Sequence, residues 1–245
     1  RDLDLNTHHP TLKVPDKLED YPAAAKYRSE YRDLQTSLQN QARELIANAG
    51  WTKVDRMTVK SEKVGSKSQQ LDGYQEFLTE GTIPNNIVFK LEIPKPDSLP
   101  QLTALRIHTL PLEIEKAIHS PELGAVLSRI ILKVPMWNPN DSLKKGGSGW
   151  GAYTHQYHPR SCVVILKDPL NLPDNARLHL ELHHNAAAPT GPMATKRGRI
   201  DLSSDSAFQN WLTKPTTVAD LKNRDRALAD YDKTGKTSLA IMDRL

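Results

Sequence analysis

"ARLHLELHHNAAAPTGPMATKRGRIDLSSD", Ala176 to Asp205, reads as strand, long loop, strand. In the first strand Leu178, Leu180 and Leu182 alternate with His179, Glu181 and His183. Successive side chains on a strand point to opposite faces, so the leucines share one face and the polar row shares the other. The leucine face belongs in a core. The His179–Glu181–His183 row is expected on the outer face of a late sandwich strand. His184 follows on the leucine side at the strand end and is expected to be hydrogen-bonded there.

The same period of two recurs outward from this stretch. "RMTVKSE", "QLDGYQEFL", "NIVFKLEI", "LTALRIHTL", "VLSRIILKV", "SCVVILKD", "ARLHLELHH" and "GRIDLSSD" make eight candidate strands between Trp51 and Asp205, separated by Pro, Gly, Asn and Asp. "LTALRIHTL" breaks strict alternation, which predicts a bulge near Arg106. "LEIEKAIHSPELG", Leu112 to Gly124, predicts a short helical excursion. Strands without intervening helical pattern predict a mainly β fold, a jelly-roll sandwich of about eight strands. Its expected core includes Trp51, Val88, Leu91, Leu105, Ile107, Ile130, Leu132, Val164, Leu178, Leu180 and Leu182.

Helical periodicity flanks the strands. Residues 1–50 read as a linker and an amphipathic helix from about Tyr21 to Ala49, with Ala24, Tyr27, Tyr31, Leu34, Leu38, Gln41 and Leu45 as its stripe. Residues 51–212 read as the sandwich, and 213–245 as a C-terminal helical segment leading to a further domain. That segment opens near Thr217, with Asp220 completing a capping-box pattern, and "TSLAIMDRL" reads as helix. With no Met at the start, the chain is expected to be a piece of a longer protein.

Composition narrows the function classes. With 38% apolar and 25% charged residues, the chain has the balance of a soluble globular protein, and no apolar run reaches membrane-spanning length. The net charge of +4 is small, and the densest basic cluster, "KRGR" at Lys196 to Arg199, reads as a solvated loop. That argues against a nucleic-acid partner. Cys162 is the single cysteine, so neither an internal disulfide nor a cysteine zinc site is available, and "SCVVIL" places it in a core.

Three stretches carry candidate chemistry. Two histidines and a carboxylate can bind zinc or iron. Along one strand, however, residues two apart stand about 7 Å from each other, too wide for His179, Glu181 and His183 to converge on one ion. No metal and no cofactor are expected. "KKGGSGWGAYTHQYHPR", Lys144 to Arg160, packs Trp150, Tyr153, His155 and Tyr157 into a glycine-rich loop. Such a loop either offers rings and polar tips to a sugar or tucks Trp150 over the end of the sandwich as a plug. Asp72, Glu76, Glu80, Glu113 and Glu115 could supply a glycosidase pair, but nothing singles out two of them, and no G-x-S-x-G or H-E-x-x-H occurs.

The run "WTKVDRMTVKSEKV … QQLDGYQEFLTEGTIPNNIVFKLEI", then "LTALRIHTLP", "ELGAVLSRIILKV" and "HPRSCVVILKDPLNLPDNARLHLELHHN" with "GRIDLSSD", resembles a region of large planctomycete and verrucomicrobial proteins. It lies there between conserved domains of unknown function that accompany c-type cytochrome modules. The resemblance covers about Trp51 to Asp205. It implies a galactose-binding-like β-sandwich in an exported, periplasmic or cell-surface multidomain protein, with polysaccharide as a possible ligand and cytochrome modules as possible neighbours. Where related sandwiches place a Glu near a structural calcium, this chain has Arg129, which argues against calcium here. The expected function is a non-catalytic carbohydrate-binding or domain-organising module. The alternatives are an enzyme domain, metal-dependent or glycoside-active, and a purely structural spacer.

Overall fold

The computed structural model describes residues 22–134, 150–151, 155–189, 191–213 and 240–242. The chain divides into two units, Arg1–Gln41 and Ala42–Leu245. The first holds most of helix α1 (Pro22–Asn48). The division falls inside that helix, so its last turns belong to the second unit.

The second unit is mainly β and antiparallel, as the alternation predicts, with its two larger sheets face to face and three two-stranded ones besides among the described residues. The large sheet has seven strands: β1 (Thr52–Lys53), β3 (Gly65–Leu71), β4 (Tyr74–Glu80), β6 (Gln101–Leu110), β12 (Arg160–Asn171), β16 (Arg197–Ser203) and β17 (Ala240–Met242). Their order is β17-β12-β6-β16-β4-β3, with β1 beside β16. The small sheet has four: β2 (Thr58–Lys60), β5 (Ile87–Pro94), β9 (Arg129–Lys133) and β13 (Arg177–His184), in the order β2-β5-β13-β9.

The core lies between the sheets. Phe77, Leu105, Ile107, Cys162, Ile200 and Leu202 of the large sheet meet Phe89, Leu91, Ile93, Leu132, Leu178, Leu180 and Leu182 of the small one. The Phe77 and Phe89 rings face each other at 5.7 Å across the layer. Four expected core residues sit differently. Val88 is half-buried because Ile87, Phe89, Leu91 and Ile93 take the inward parity of β5. Ile130 and Val164 are also only half-buried, packed against the core. Trp51 lies in a second cluster on the other side of the large sheet. There Ile46 of α1 and Phe208 of α3 (Ala207–Thr213) cover Ala104, Val163 and Ile165. Both faces of β6 and β12 are therefore buried at that end.

This double burial explains the broken alternation of "LTALRIHTL". Arg106 is in regular register with Asp201 on one side and Val163 on the other. The expected bulge is not there. The irregularity falls between Leu102 and Ala104, where β12 carries extra residues between Ile165 and Leu170.

Three other expectations change. "QLDGYQEFL" is not one strand but the end of β3, a turn at Asp72–Gly73, and β4, with Gly73 at φ 73°. A residue without a Cβ adopts that φ at no steric cost, which is why Asp-Gly makes tight hairpins. Within "TSLAIMDRL" the described residues, Ala240–Met242, are strand where helix is expected; they pair with Cys162–Val164 and supply partners for that edge of β12. "KRGR" is not a loop, because Arg197 begins β16. The short helix expected between Leu112 and Gly124 is α2, Ile114–Ala117. The capping box at Thr217 lies outside the described residues.

Candidate functional site

The polar row of β13 sits on the outer face of the small sheet, as its alternation predicts. His179 pairs with Glu92 on one side and Lys133 on the other, and Glu181 with Lys90 and Ile131. Lys133 Nζ donates to Glu181 Oε1 at 2.9 Å, and His183 Nε2 lies 3.2 Å from Glu181 Oε2. Burial pushes the Glu181 carboxyl up, but the hydrogen bonds from Lys133 and His183 outweigh it and leave it below its ordinary value. Arg177 binds Glu92 on the same face, and Lys90 binds Glu62. Each carboxylate here already has its cation. Among the described residues no group of three or more His, Cys, Asp or Glu side chains could hold a metal ion.

Of the glycine-rich loop, residues 150–151 and 155–160 are described. Trp150 and Gly151 form β10, which pairs with Val126–Leu127, strand β8. Trp150 is 7% exposed and belongs to the main core. Its ring is therefore a plug and not an exposed stacking surface, a correction to the sugar-platform reading. Gly151 makes this possible: it adopts φ 145°, and a Cβ there would run into the Ala125 carbonyl. Tyr153 lies outside the described residues. His155 and Tyr157 are exposed, with ring centroids 6.2 Å apart. Gln156 between them points inward and donates to Thr109 O at 2.7 Å.

His184, on the leucine side of β13, is buried and its Nδ1 lies 2.8 Å from Val126 O. Burial pushes its imidazole down to about 4. The loop strands thus rest on a neutral histidine.

The densest polar arrangement lies elsewhere, on the outer face of the large sheet. β16 places Arg197, Arg199, Asp201 and Ser203 outward, while Gly198, Ile200 and Leu202 face the core. β6 places Arg106 opposite Asp201 and His108 opposite Arg199. Asp201 is fully buried although it faces away from the core. Its Oδ2 accepts from Arg106 Nε at 3.0 Å and Nη2 at 2.6 Å, and contacts His108 Nε2 at 2.7 Å. Arg199 Nε lies 3.2 Å from Oδ1, out of line for a hydrogen bond. Burial alone would raise the Asp201 carboxyl; the His108 and Arg106 hydrogen bonds and the Arg199 charge hold it below its ordinary value. Burial also pushes His108 down, against the pull of Asp201, so the ring is neutral at pH 7.

Aromatic rings fix the guanidinium groups. Arg106 lies over the Trp51 ring at 4.4 Å, and the indole meets Phe208 at 5.3 Å on its way into the second cluster. Arg199 lies over Tyr74 at 5.1 Å, as does Lys53 Nζ. Next along the face, Arg197 Nε donates to Glu76 Oε2 at 2.5 Å. Of these residues the sequence points only to Glu76 as a candidate for chemistry, among five acids, and to none as a binding residue. The signal was Arg106 and His108, two apart within an apolar strand.

Comparison of the chain with protein-family models, curated proteins and solved structures finds no match to any.

Proposed function

We propose that the chain is a non-catalytic carbohydrate-binding module, and that its binding surface is the outer face of the large sheet. One observation carries this reading. Arg106, His108, Arg199 and Asp201 form a rigid set of planar hydrogen-bonding groups on a sheet face, with both arginines stacked on aromatic rings. Sugar hydroxyls are recognised by planar donors and acceptors held in fixed geometry, because a group already immobilised loses little entropy when it binds. By the resemblance described above, such a module belongs in an exported, periplasmic or cell-surface protein, beside cytochrome-bearing neighbours.

A glycan array probed with the full chain tests the proposal. Binding to polysaccharide that is lost in Arg199→Gln and retained in Tyr157→Ala is the expected result, with thermal unfolding checked for both variants. Binding lost in Tyr157→Ala instead would return the site to the loop. If no glycan binds, the structural-spacer reading replaces this one. The observation favouring a spacer is that Trp150 serves the sandwich core.

A further inference from the structure

We propose that this face takes an anionic sugar residue, its sulfate ester or uronate carboxylate held between Lys53 and Arg199. The proposal rests on the carbohydrate-binding reading and names its ligand class.

Charge is the first argument. Lys53 pairs with Asp201 across β1 and β16 and therefore shares its face. Around the buried carboxylate stand Lys53, Arg106 and Arg199, three cations against Asp201 alone, since His108 is neutral and Glu76 is engaged by Arg197. Lys53 has no carboxylate partner among the described residues. Two positive charges are left over.

Hydrogen bonding is the second. A neutral imidazole has one N–H. With a carboxylate oxygen 2.7 Å from His108 Nε2, the proton sits on Nε2 and is donated to Asp201. Nε2 then cannot accept from Arg199 Nη2, which lies 3.1 Å away. The N–H groups of Arg199 Nη2 thus face another donor. Oδ2 already serves both Arg106 nitrogens and His108, and Oδ1 lies out of line with Arg199 Nε. Donors outnumber acceptors, and an oxygen with negative charge supplies both the missing acceptor and the missing charge.

Access is the third. Arg106 and Arg199 side chains are each 20% exposed and Lys53 is exposed. Lys53 Nζ and Arg199 both lie over Tyr74, each 5.1 Å from its centroid, so the two cations gather at one ring. An anionic substituent on a polymer offsets half of the two-charge surplus; a neutral sugar offsets none of it.

Affinity electrophoresis of the full chain tests this in gels containing dextran, dextran sulfate or alginate, which supply neutral, sulfated and uronate polymers. Retardation by an acidic polymer and not by dextran is expected, weakening with added salt. Lys53→Gln is expected to lower the affinity about 2–5-fold, the worth of one exposed charge contact. Lys60→Gln, an exposed lysine on β2 of the other sheet, is the control and should change nothing. Dextran sulfate alone active would assign the sulfate ester, alginate alone the uronate, and either supports the proposal. Equal loss in Lys60→Gln, or none in Lys53→Gln, overturns it. Retardation by dextran as strong as by the acidic polymers overturns the ligand class and leaves the carbohydrate-binding reading standing. If neither these gels nor the glycan array shows binding, both readings fall.

Discussion

Gly198 sits in the middle of β16 on the core side, between Phe77 of β4 and Thr109 of β6 in the ladder. Its φ is not unusual, so any L-residue could adopt its backbone. What requires glycine is space. A Cβ there would meet Phe77 Cε1 and Cζ at 2.5 Å and His108 O at 3.0 Å. Phe77 cannot retreat easily: it is fully buried and faces Phe89 across the sandwich. Overpacking of a tight core costs about 1–3 kcal/mol. Two ring carbons in collision put Gly198→Ala toward the upper part of that range. Phe77→Leu trims the colliding ring edge but leaves a cavity, so it is destabilising alone. Combined, each change relieves the other. The double variant is expected to be more stable than the sum of the single losses by about 1 kcal/mol or more, within the coupling seen between touching residues. Urea denaturation monitored by tryptophan fluorescence measures this, with the midpoint compared at unchanged slope. If Gly198→Ala leaves the midpoint where it is, or if the two losses simply add, the close approach of β16 to Phe77 is wrong.

Three further outcomes follow from burial. Leu180→Ala empties a site that is 1% exposed in the centre of the small sheet, and should cost about 2–5 kcal/mol by the same assay; an unchanged midpoint would put Leu180 on the wrong face. His184 titrates near 4 in the folded chain and near 6.5 when unfolded, so the unfolded state takes the proton first as pH falls. Its contribution is complete above about pH 6.5, declines to pH 4 and amounts to about 3 kcal/mol. An NMR titration that finds its imidazole half-protonated near 6.5 would refute this. Burial pushes the Cys162 thiol up to about 12 and its side chain is fully enclosed, so a thiol reagent should label it only in denaturant; rapid labelling of the native chain would contradict the core assignment.

Much of the fold was legible because half-buried strands write their burial as alternation. All eight candidate segments contain strand. What escaped notice had other causes. β3, "GSKSQQL", is polar on both sides because it is an edge strand; its place is set by the Asp72–Gly73 turn and by serine hydroxyls reaching across to β2 and the residue before it, Ser66 Oγ to Val59 O and Ser68 Oγ to Met57 O. Two-residue strands such as β10 are too short to carry a period at all. The candidate site was hidden for a different reason. Asp201 and Arg106 lie 95 residues apart in the chain, and only the register of β6 on β16 brings them together. The basic look of "KRGR" obscured that Arg197, Arg199 and Asp201 alternate with Gly198, Ile200 and Leu202 as plainly as the leucines of β13 alternate with its histidines.

The two polar rows then differ in a way that sequence spacing alone does not reveal. On the small sheet, Lys133, Arg177 and Lys90 are matched by Glu181, Glu92 and Glu62, each pair across strands or from a neighbouring turn. Exposed pairs of that kind contribute about 0–1 kcal/mol and call for nothing from outside. On the large sheet, Asp201 is fully buried and is shared by two arginines and a neutral histidine, with a third cation opposite it in the ladder. Burying a carboxylate is costly unless it is paired and hydrogen-bonded, and crowding like charges around it adds repulsion. A hydrophobic row would have closed this face more simply, as Ala104, Val163 and Ile165 close it further along the same strands. An unbalanced cluster where an apolar one would pack is a cost that stability does not explain, and it is the feature on which the proposed anionic ligand rests.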